Sequence, residues 1–299
     1  FGGCVRYVTG KDERREVVAS LTHQVVPSDI LIRHIGERNV THYETLLQAK
    51  DTTKCIHIAF LAEGYQQHEM PTFINDAKIA IEALFAHEPF KSMKERFNIV
   101  AVKSPSIDSG TSEPGNGIWK HTALSSHFDT FYSDRHLTTL NLKDLHNLLA
   151  GTPYEHIIVL VNTEKYGGGG ILNSYNLSMT HHPKYRPVVV HEFGHSFAGL
   201  ADEYAYETED IPMYPHDIEP WEKNITTKVD FHGKWEDMIG KDSKAGLYEG
   251  AGYSLKGVYR AYPDCRMRTN ENPEFCDVCK RILQNVIDFY TNRERHYTY

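Results

Sequence analysis

The sequence predicts an α/β (α+β) fold built around a mixed, twisted sheet. Three apolar runs with the pattern of buried strands alternate with two segments of helical periodicity, which is typical of helices packed on a mixed or largely parallel sheet. The chain of 299 residues suffices for one large domain or for two subdomains that share a cleft. Its hydrophobic content of 40% is that of an ordinary globular protein.

Charge and hydropathy exclude several classes of partner. The formal net charge is -8 and no block is rich in Lys or Arg, which argues against nucleic acid and disfavours anionic membrane surfaces. No segment approaches the roughly 18 consecutive apolar residues of a membrane span, and the opening FGGCVRYVTG has no signal-peptide apolar region. We therefore expect a soluble chain whose export signal, if it had one, has been removed.

The first elements follow from the pattern of apolar residues. Residues 1–50 are polar with short extended runs, and they predict an appendage or the end of an upstream domain. From Cys55, CIHIAFLAEGY alternates and then runs apolar as a buried strand does, ending at Gly64. Helical spacing follows from Phe73 to Phe85, and NIVAVKSP predicts a second strand that Pro105 ends.

The middle of the chain predicts a loop, a helix and a third strand. The polar segment SPSIDSGTSEPGNGIWK is irregular and long enough to be functional. LKDLHNLLAG predicts a short helix that ends at Gly151, and EHIIVLVNT predicts a strong buried strand. The four glycines of 167–170 indicate either a flexible loop or an edge segment that another backbone approaches closely. Pro187 and Pro273 open the last two predicted helices.

The segment VHEFGHSFAGLADEY, residues 190–204, predicts a catalytic zinc site. On a helix, His191 and His195 lie about 40° apart around the axis and about 6 Å apart along it, so both imidazoles can reach one ion. Glu192 lies beside them and can contact a water bound to the metal. Zinc with three protein ligands keeps an open position and lowers the pKa of that water to about 7, so Glu192 is the predicted general base.

The third zinc ligand requires the helix to end. In a continued helix, Asp202 would lie about 10 Å beyond His195, far outside metal reach. Gly199 is the natural place for the end, because glycine accepts the left-handed conformation that reverses the chain. A turn there brings Asp202 or Glu203 back to the ion, and Asp202 is favoured because its carboxylate is short and comes first. Gly194, costly inside a helix, indicates that something packs closely against it.

The five cysteines allow two interpretations. Cys265, Cys276 and Cys279 lie close together in sequence, but a three-thiolate zinc site would need a fourth ligand that the sequence does not obviously offer. The simpler interpretation is a disulfide from Cys265 to the final helix, which would imply an oxidising compartment. Cys4 and Cys55 are a candidate second pair.

The active-site segment HEFGHSFAGLADEY resembles that of the bacterial immunoglobulin A peptidases, a family of secreted zinc metallopeptidases. The resemblance covers roughly residues 55–290 and extends to AEGY, SPSIDSGTSEP, VNTEKYGGGG, CRM and FCDVC. It implies a metzincin-like zinc endopeptidase, secreted, periplasmic or at the cell surface. On this reading residues 51–299 form the catalytic domain, with an upper part to about residue 199 and a smaller lower part over 200–299.

The general metzincin pattern has two residues between the second histidine and the glycine, whereas this chain has three, SFA. The extra residue leaves the choice between Asp202 and Glu203 open. Metzincins place a methionine beneath the metal, and Met267 resembles it, although a core methionine that fills a gap would look the same in sequence.

Other side chains are weaker candidates. Donors to a tetrahedral oxyanion could come from tyrosines, and nothing in their spacing selects among Tyr204, Tyr206, Tyr259 and Tyr262. His181 and His182 could replace a zinc ligand, though an exposed loop pair is the simpler interpretation. Residues 207–235 are most simply a surface excursion, although they could shape the primed side of the cleft.

The predicted function is zinc-dependent hydrolysis of protein or peptide substrates, immunoglobulin A or other host or environmental proteins. One alternative is a zinc amidase that acts on cell-wall peptides. A second alternative is a non-catalytic surface-binding module whose metal is structural.

Overall fold

The structure, a computed structural model, describes residues 3–8, 20–26, 28–29, 40–206, 213–240 and 244–292. The chain divides into two compact units, Phe1–Val40 and Thr41–Tyr299. In the first unit, strands β1 (Gly3–Val8) and β2 (Ser20–Val25) form an antiparallel pair, where the sequence predicts short extended runs.

The second unit contains the remaining strands and four helices of the described residues. The strands are β3 (Tyr43–Leu47), β4 (Ile56–Glu63), β5 (Phe97–Val102), β6 (His156–Val161), β7 (Gly168–Ile171), β8 (Tyr175–Met179), β9 (Ile225–Thr226), β10 (Tyr248–Ala251) and β11 (Ser254–Arg260). The helices are α1 (Met70–Leu84), α2 (Leu142–Leu148), α3 (Tyr185–Ala198) and α4 (Asp277–Thr291).

The central sheet is mixed, and the α/β prediction is confirmed. Its strand order is β3-β5-β4-β6-β8-β7. The four inner strands are parallel to one another, and β3 and β7 run antiparallel at the two edges. Because β3 pairs with β5, the main unit begins near residue 41, ten residues earlier than the sequence suggests.

Both faces of this sheet are covered, which explains why the inner strands read as apolar runs. Ile58 and Phe60 of β4 face the larger core, which also contains side chains of α1, α3 and α4. Ala59 and Leu61 face the smaller core, beneath α2 and the segment 124–137. The sheet therefore holds α3 rigidly on one face.

The long polar loop after β5 is ordered by one buried acid, Glu63 at the end of β4. Its carboxylate accepts hydrogen bonds from Thr122 Oγ1 (2.5 Å), Leu124 N (2.8 Å) and Ser126 N (2.9 Å). Burial raises the pKa of Glu63, and these donors partly offset that effect. The loop is thus a packed layer on the sheet.

A second sheet of three strands, in the order β10-β11-β9, lies in the C-terminal part of the unit. The expectation that residues 207–235 form a surface excursion is wrong for its C-terminal end. Trp235 is fully buried, and its Nε1 donates a hydrogen bond to Gly246 O at 2.8 Å.

Among the described residues, no helix has the length and apolar character needed to cross a membrane.

The predicted disulfide is also wrong. Cys265, Cys276 and Cys279, the cysteines that this prediction concerns, are free thiols. The Sγ atoms of Cys265 and Cys279 lie 3.8 Å apart, a non-bonded contact, whereas a disulfide bond is about 2.05 Å long. The suggested partner of Cys55, the side chain of Cys4, lies outside the described residues.

Candidate metal centre

Helix α3 carries the two histidines on the side that faces an open cleft. It packs against β6, β7 and β8 on one side and against α1 and α4 on others. The buried run Val188, Val189 and Val190 fixes its orientation on the sheet. His191, Glu192 and His195 follow this run as half-buried residues that line the cleft. The helix predicted from the sequence is therefore present, with both histidines on the side that lines the cleft.

The helix ends where the sequence predicts an end. Gly199 has the left-handed backbone angles φ 62° and ψ 35°, and its N–H donates to His195 O at 2.9 Å. A side chain here would be strained and would also collide with Trp221, whose ring lies 2.7 Å from the position of a Cβ. The chain therefore reverses at Gly199.

Three separate partners hold the segment after the bend. Asn224 accepts from Ala201 N (2.8 Å) and donates back to Ala201 O (2.9 Å). The carbonyl of Asp202 accepts from Gly252 N at 2.9 Å. Finally, Glu203 N donates to Met267 O at 2.8 Å. These bonds fix the backbone from which the Asp202 and Glu203 side chains leave.

The bend brings His191, His195 and Asp202 together, and we call them the metal triad. The two Nε2 atoms are 3.1 Å apart, and Asp202 Oδ1 lies 3.0 Å from His191 Nε2 and 3.2 Å from His195 Nε2. Ligand atoms at tetrahedral angles around zinc, each about 2.0 to 2.1 Å from it, are about 3.3 to 3.4 Å from one another. The triangle therefore has the size that one zinc ion requires.

The hydrogen bonds behind the triad also fit a metal. His191 Nδ1 lies 3.1 Å from Arg266 O, and His195 Nδ1 lies 2.5 Å from Leu200 O. Because a carbonyl oxygen can only accept, each Nδ1 must be the donor, so Nε2 faces the triad and offers a lone pair there once the ring is neutral. Within the described part of the chain, Asp202 Oδ1 is buried without a hydrogen-bond partner. Three electron-pair donors that face each other are a site for a cation.

The charges of the three side chains are coupled to one another. Although burial alone raises it, the pKa of Asp202 is held well below its usual range by His195 and His191. Burial alone would lower the pKa of His195, but the Asp202 carboxylate raises it to about 9. A metal ion bound by these three side chains would therefore displace a proton from His195 at neutral pH.

Glu192 stands next to the triad and remains free to act on a bound water. Burial raises its pKa, and the neighbouring His191 and His195 lower it again in part. Its carboxylate lies against Gly168 of β7, where a Cβ would be 2.7 Å from Glu192 Oε1. Only glycine at position 168 leaves room for this acid.

The glycine run forms edge strand β7, so of the two alternatives the close approach is correct. A Cβ on Gly170 would lie 2.5 Å from Glu192 O, and one on Gly169 would lie 2.7 Å from Leu137 O. Gly168 also exchanges backbone hydrogen bonds with Arg135 O (3.3 Å) and Leu137 N (3.2 Å). The outer edge of β7 is thus partly covered at Gly168.

Met267 lies beneath the active-site helix. It is fully buried, and its Sδ would be 2.8 Å from a Cβ on Gly194. The close packing that Gly194 indicates in the sequence is therefore contact with Met267. The adjacent carbonyl, Arg266 O, is the acceptor that orients His191.

The triad and Glu192 line a cleft with a cavity volume of about 670 Å³. Of the four candidate tyrosines, Tyr204 and Tyr206 line it, both beside Arg135. The remaining two are engaged elsewhere: Tyr259 contacts Glu249 at 3.3 Å, and Tyr262 donates to Asp277 at 2.8 Å.

Histidines 181 and 182 do not join the triad. His181 Nε2 lies 3.0 Å from Asp76 Oδ2, and the ring of His182 packs on Tyr166 with centroids 5.3 Å apart. Neither belongs to a group of potential metal ligands among the described residues.

Sequence reasoning missed Tyr253 and Arg135. Tyr253 lines the cleft and donates its hydroxyl hydrogen to Asp202 Oδ2. Its φ of 67° is unusual for a bulky residue, and it shares with Gly252 (φ 56°) the two-residue turn between β10 and β11. The dipeptide Gly-Tyr between two strand-like segments was the available signal. Arg135 has no comparable signal, because it lies in an irregular segment.

Two histidines one helical turn apart, a returning carboxylate and a free acid beside a cleft define the class of zinc-dependent hydrolases. A family model described as IgA Peptidase M64 matches residues 45–244 and 241–287, and the chain belongs to this family. The protein is therefore a zinc metallopeptidase.

A search of curated proteins finds no match. Among solved structures, archaemetzincin from Methanopyrus kandleri is similar at 11% sequence identity and a TM-score of 0.35, over 80% of this chain and 99% of that chain.

Proposed function

We propose that the protein is an endopeptidase in which the metal triad binds the zinc and Glu192 is the general base. The observation that carries this proposal is the triangle of His191 Nε2, His195 Nε2 and Asp202 Oδ1, with sides of 3.0 to 3.2 Å. The third ligand in this proposal is Asp202, because the Glu203 side chain turns away to a buried cluster of cysteines.

When bound, zinc lowers the pKa of a water molecule and polarises the carbonyl of the scissile peptide. Glu192 then takes a proton from the attacking water and delivers it to the leaving amine nitrogen. Its raised pKa suits this role, because a stronger base accepts the proton more readily. Arg135, which lines the cleft with Tyr204 and Tyr206, supplies positive charge for the developing oxyanion.

The substrate in this proposal is an extended segment of a protein. Residues 167–172, which include β7, line the cleft. The edge of β7 is already covered at Gly168, so the substrate backbone would pair with the part of the strand that follows Gly168. The name of the family suggests immunoglobulin A as one protein to test. Cell-wall peptides are the substrates of the alternative amidase function. Digestion of folded proteins beside peptidoglycan fragments separates the two.

We also propose, from the family resemblance, that the protein acts outside the cytoplasm, as a secreted, periplasmic or cell-surface enzyme. Fractionation of the native source with an antibody against this chain tests the location. Recovery solely from the cytoplasmic fraction would contradict it.

The decisive experiment is the Glu192→Gln variant. Because glutamine cannot take the proton, we expect kcat to fall by about 10²–10⁴-fold while the zinc content stays that of the wild type. Glu271→Gln is the matched control, because Glu271 also lines the cleft but pairs with Lys184. Retention of activity in Glu192→Gln, or loss of its zinc, would contradict the assigned role.

A further inference from the structure

A second group of potential metal ligands lies behind the active site. We call it the cysteine cluster, and its members are Glu203, Cys265, Cys276 and Cys279. Each offers one ligand atom, all four atoms lie within 4.8 Å of one another, and all four residues are buried. The proposed catalytic mechanism uses none of them.

Distances within the cluster match metal coordination. Two sulfur atoms bound to one tetrahedral zinc at about 2.3 Å each are about 3.8 Å apart. The Sγ atoms of Cys265 and Cys279 lie 3.8 Å apart. Cys279 Sγ lies 3.2 Å from Glu203 Oε1, close to the roughly 3.5 Å expected for a sulfur and an oxygen on the same ion.

Glu203 supplies the fourth ligand that the sequence does not reveal. It is fully buried, and Glu203 Oε1 accepts a hydrogen bond from Asn224 Nδ2 at 3.0 Å. Glu203 Oε2 is buried and has no hydrogen-bond partner among the residues the structure describes. Because a buried carboxylate oxygen without a partner is costly, the orientation of Glu203 toward three thiols requires an explanation. A divalent cation provides one.

The surrounding charge also suits anionic ligands. Cys276 caps the N-terminus of α4 and Cys279 lies in its first turn, where the helix dipole favours thiolates. The guanidinium groups of Arg260 and Arg266, both nearly buried, interact electrostatically with Glu203 and Cys265. These positive charges offset the negative charge that a divalent ion bound by three thiolates and a carboxylate retains.

We propose that the cysteine cluster binds a second, structural zinc ion. With four protein ligands the coordination is closed, so this ion has no position for a substrate. It joins three segments of the chain: the start of α4, the turn that contains Met267 and the bend that contains Asp202. In this way the second ion stiffens the backbone behind the metal triad.

Metal analysis and X-ray absorption spectroscopy of the purified wild-type protein test this proposal. We expect two zinc ions per chain and sulfur neighbours at about 2.3 Å in the zinc spectrum. In the His191→Ala/His195→Ala variant we expect one ion, with those sulfur neighbours more prominent. Cobalt in place of zinc should give an intense thiolate charge-transfer band in both proteins.

A Cys276→Ser/Cys279→Ser variant should lose one ion and the charge-transfer band, and Cys55→Ser is the matched control with a buried cysteine outside the cluster. If the serine variant does not fold, Glu203→Gln provides the milder test. We expect it to release zinc from the sulfur site to a chelator at least tenfold faster than the wild type.

Several outcomes would overturn the proposal. They are a wild-type zinc spectrum with only nitrogen and oxygen neighbours, a disulfide found within the cluster by mass spectrometry, and a metal-free His191→Ala/His195→Ala protein. None of these outcomes bears on Glu192, so failure here leaves the proposed endopeptidase function intact.

Discussion

At the scale of single residues, Asp202 connects the two histidines of the metal triad to Tyr253. Its short side chain reaches both imidazoles with one oxygen, Oδ1, and accepts the hydroxyl of Tyr253 with the other. Partners of this kind fix the orientation of a ligand and raise its basicity. The turn that gives Tyr253 its unusual φ also places its phenol against this carboxylate.

The Tyr253→Phe variant is predicted to weaken zinc binding at the metal triad by about 10–100-fold, because Asp202 Oδ2 loses its donor. Competition with a chelator of known affinity measures the change. Tyr214→Phe is the control, since that tyrosine also lines the cleft but bonds to Glu222. Equal zinc affinities in both variants would show that Tyr253 does not position Asp202.

At the scale of elements, the site depends on how closely β7 approaches α3. The approach needs glycines on both sides of the strand. Gly168 and Gly170 face the helix, and Gly169 faces the segment that contains Leu137. The distance between strand and helix thereby sets the space left for the Glu192 carboxylate and for a substrate backbone.

The Gly168→Ala variant is predicted to lower kcat by at least tenfold with zinc retained, because its methyl group would stand 2.7 Å from Glu192 Oε1 and displace the carboxylate. Gly169→Ala is the matched control: its methyl group meets Leu137 O at the same 2.7 Å but on the other side of the strand. Steady-state kinetics at equal folded fractions compare the two. A larger loss of kcat in Gly169→Ala would contradict this view of Glu192.

At the scale of the whole molecule, the larger core between the sheet and the helices contains a titratable group. His156 of β6 is buried among aromatic rings, with centroid distances of 4.7 Å to Phe197 and 5.3 Å to Tyr290. Burial lowers the pKa of His156 to about 4. The folded protein therefore keeps this ring neutral where the unfolded chain, with a pKa near 6.5, takes up a proton.

The stability of the protein should consequently fall as the pH drops from 6.5 toward 4. Because the unfolded state binds more protons in this range, His156 contributes a loss of about 3 kcal/mol, which levels off below pH 4. Urea unfolding of metal-free protein at several pH values measures this slope. His156→Phe should flatten it, whereas replacing the exposed His68 by glutamine should not. An unchanged slope in His156→Phe would contradict the prediction.

The features predicted from sequence are those encoded locally. Alternating apolar residues predict β4, β5 and β6, and the helical spacing of His191 and His195 together with Gly199 predicts the shape of the site. Because glycine adopts positive φ without strain, Gly199 alone is enough to predict the end of α3 from the sequence.

The features that were missed depend on contacts between distant segments. Glu203 and Cys279 are 76 residues apart, and Tyr253 reaches Asp202 across 51 residues. Neither pair has a fixed spacing that a pattern could detect. The prediction of a disulfide from Cys265 was wrong for the same reason. The short spacing of the three cysteines in the sequence does not reveal that Glu203, a distant residue, lies among them.

The adjacency of Asp202 and Glu203 restricts how homologous chains can change in length. One acid points to the histidines and its neighbour points to the cysteines. Deletion of one amino acid between Gly199 and Asp202 would put Glu203 in the place of Asp202, and insertion of one would put Asp202 in the place of Glu203. Either change would disturb both environments at once. We therefore expect insertions and deletions among homologous chains to fall in surface loops and not between Gly199 and Asp202.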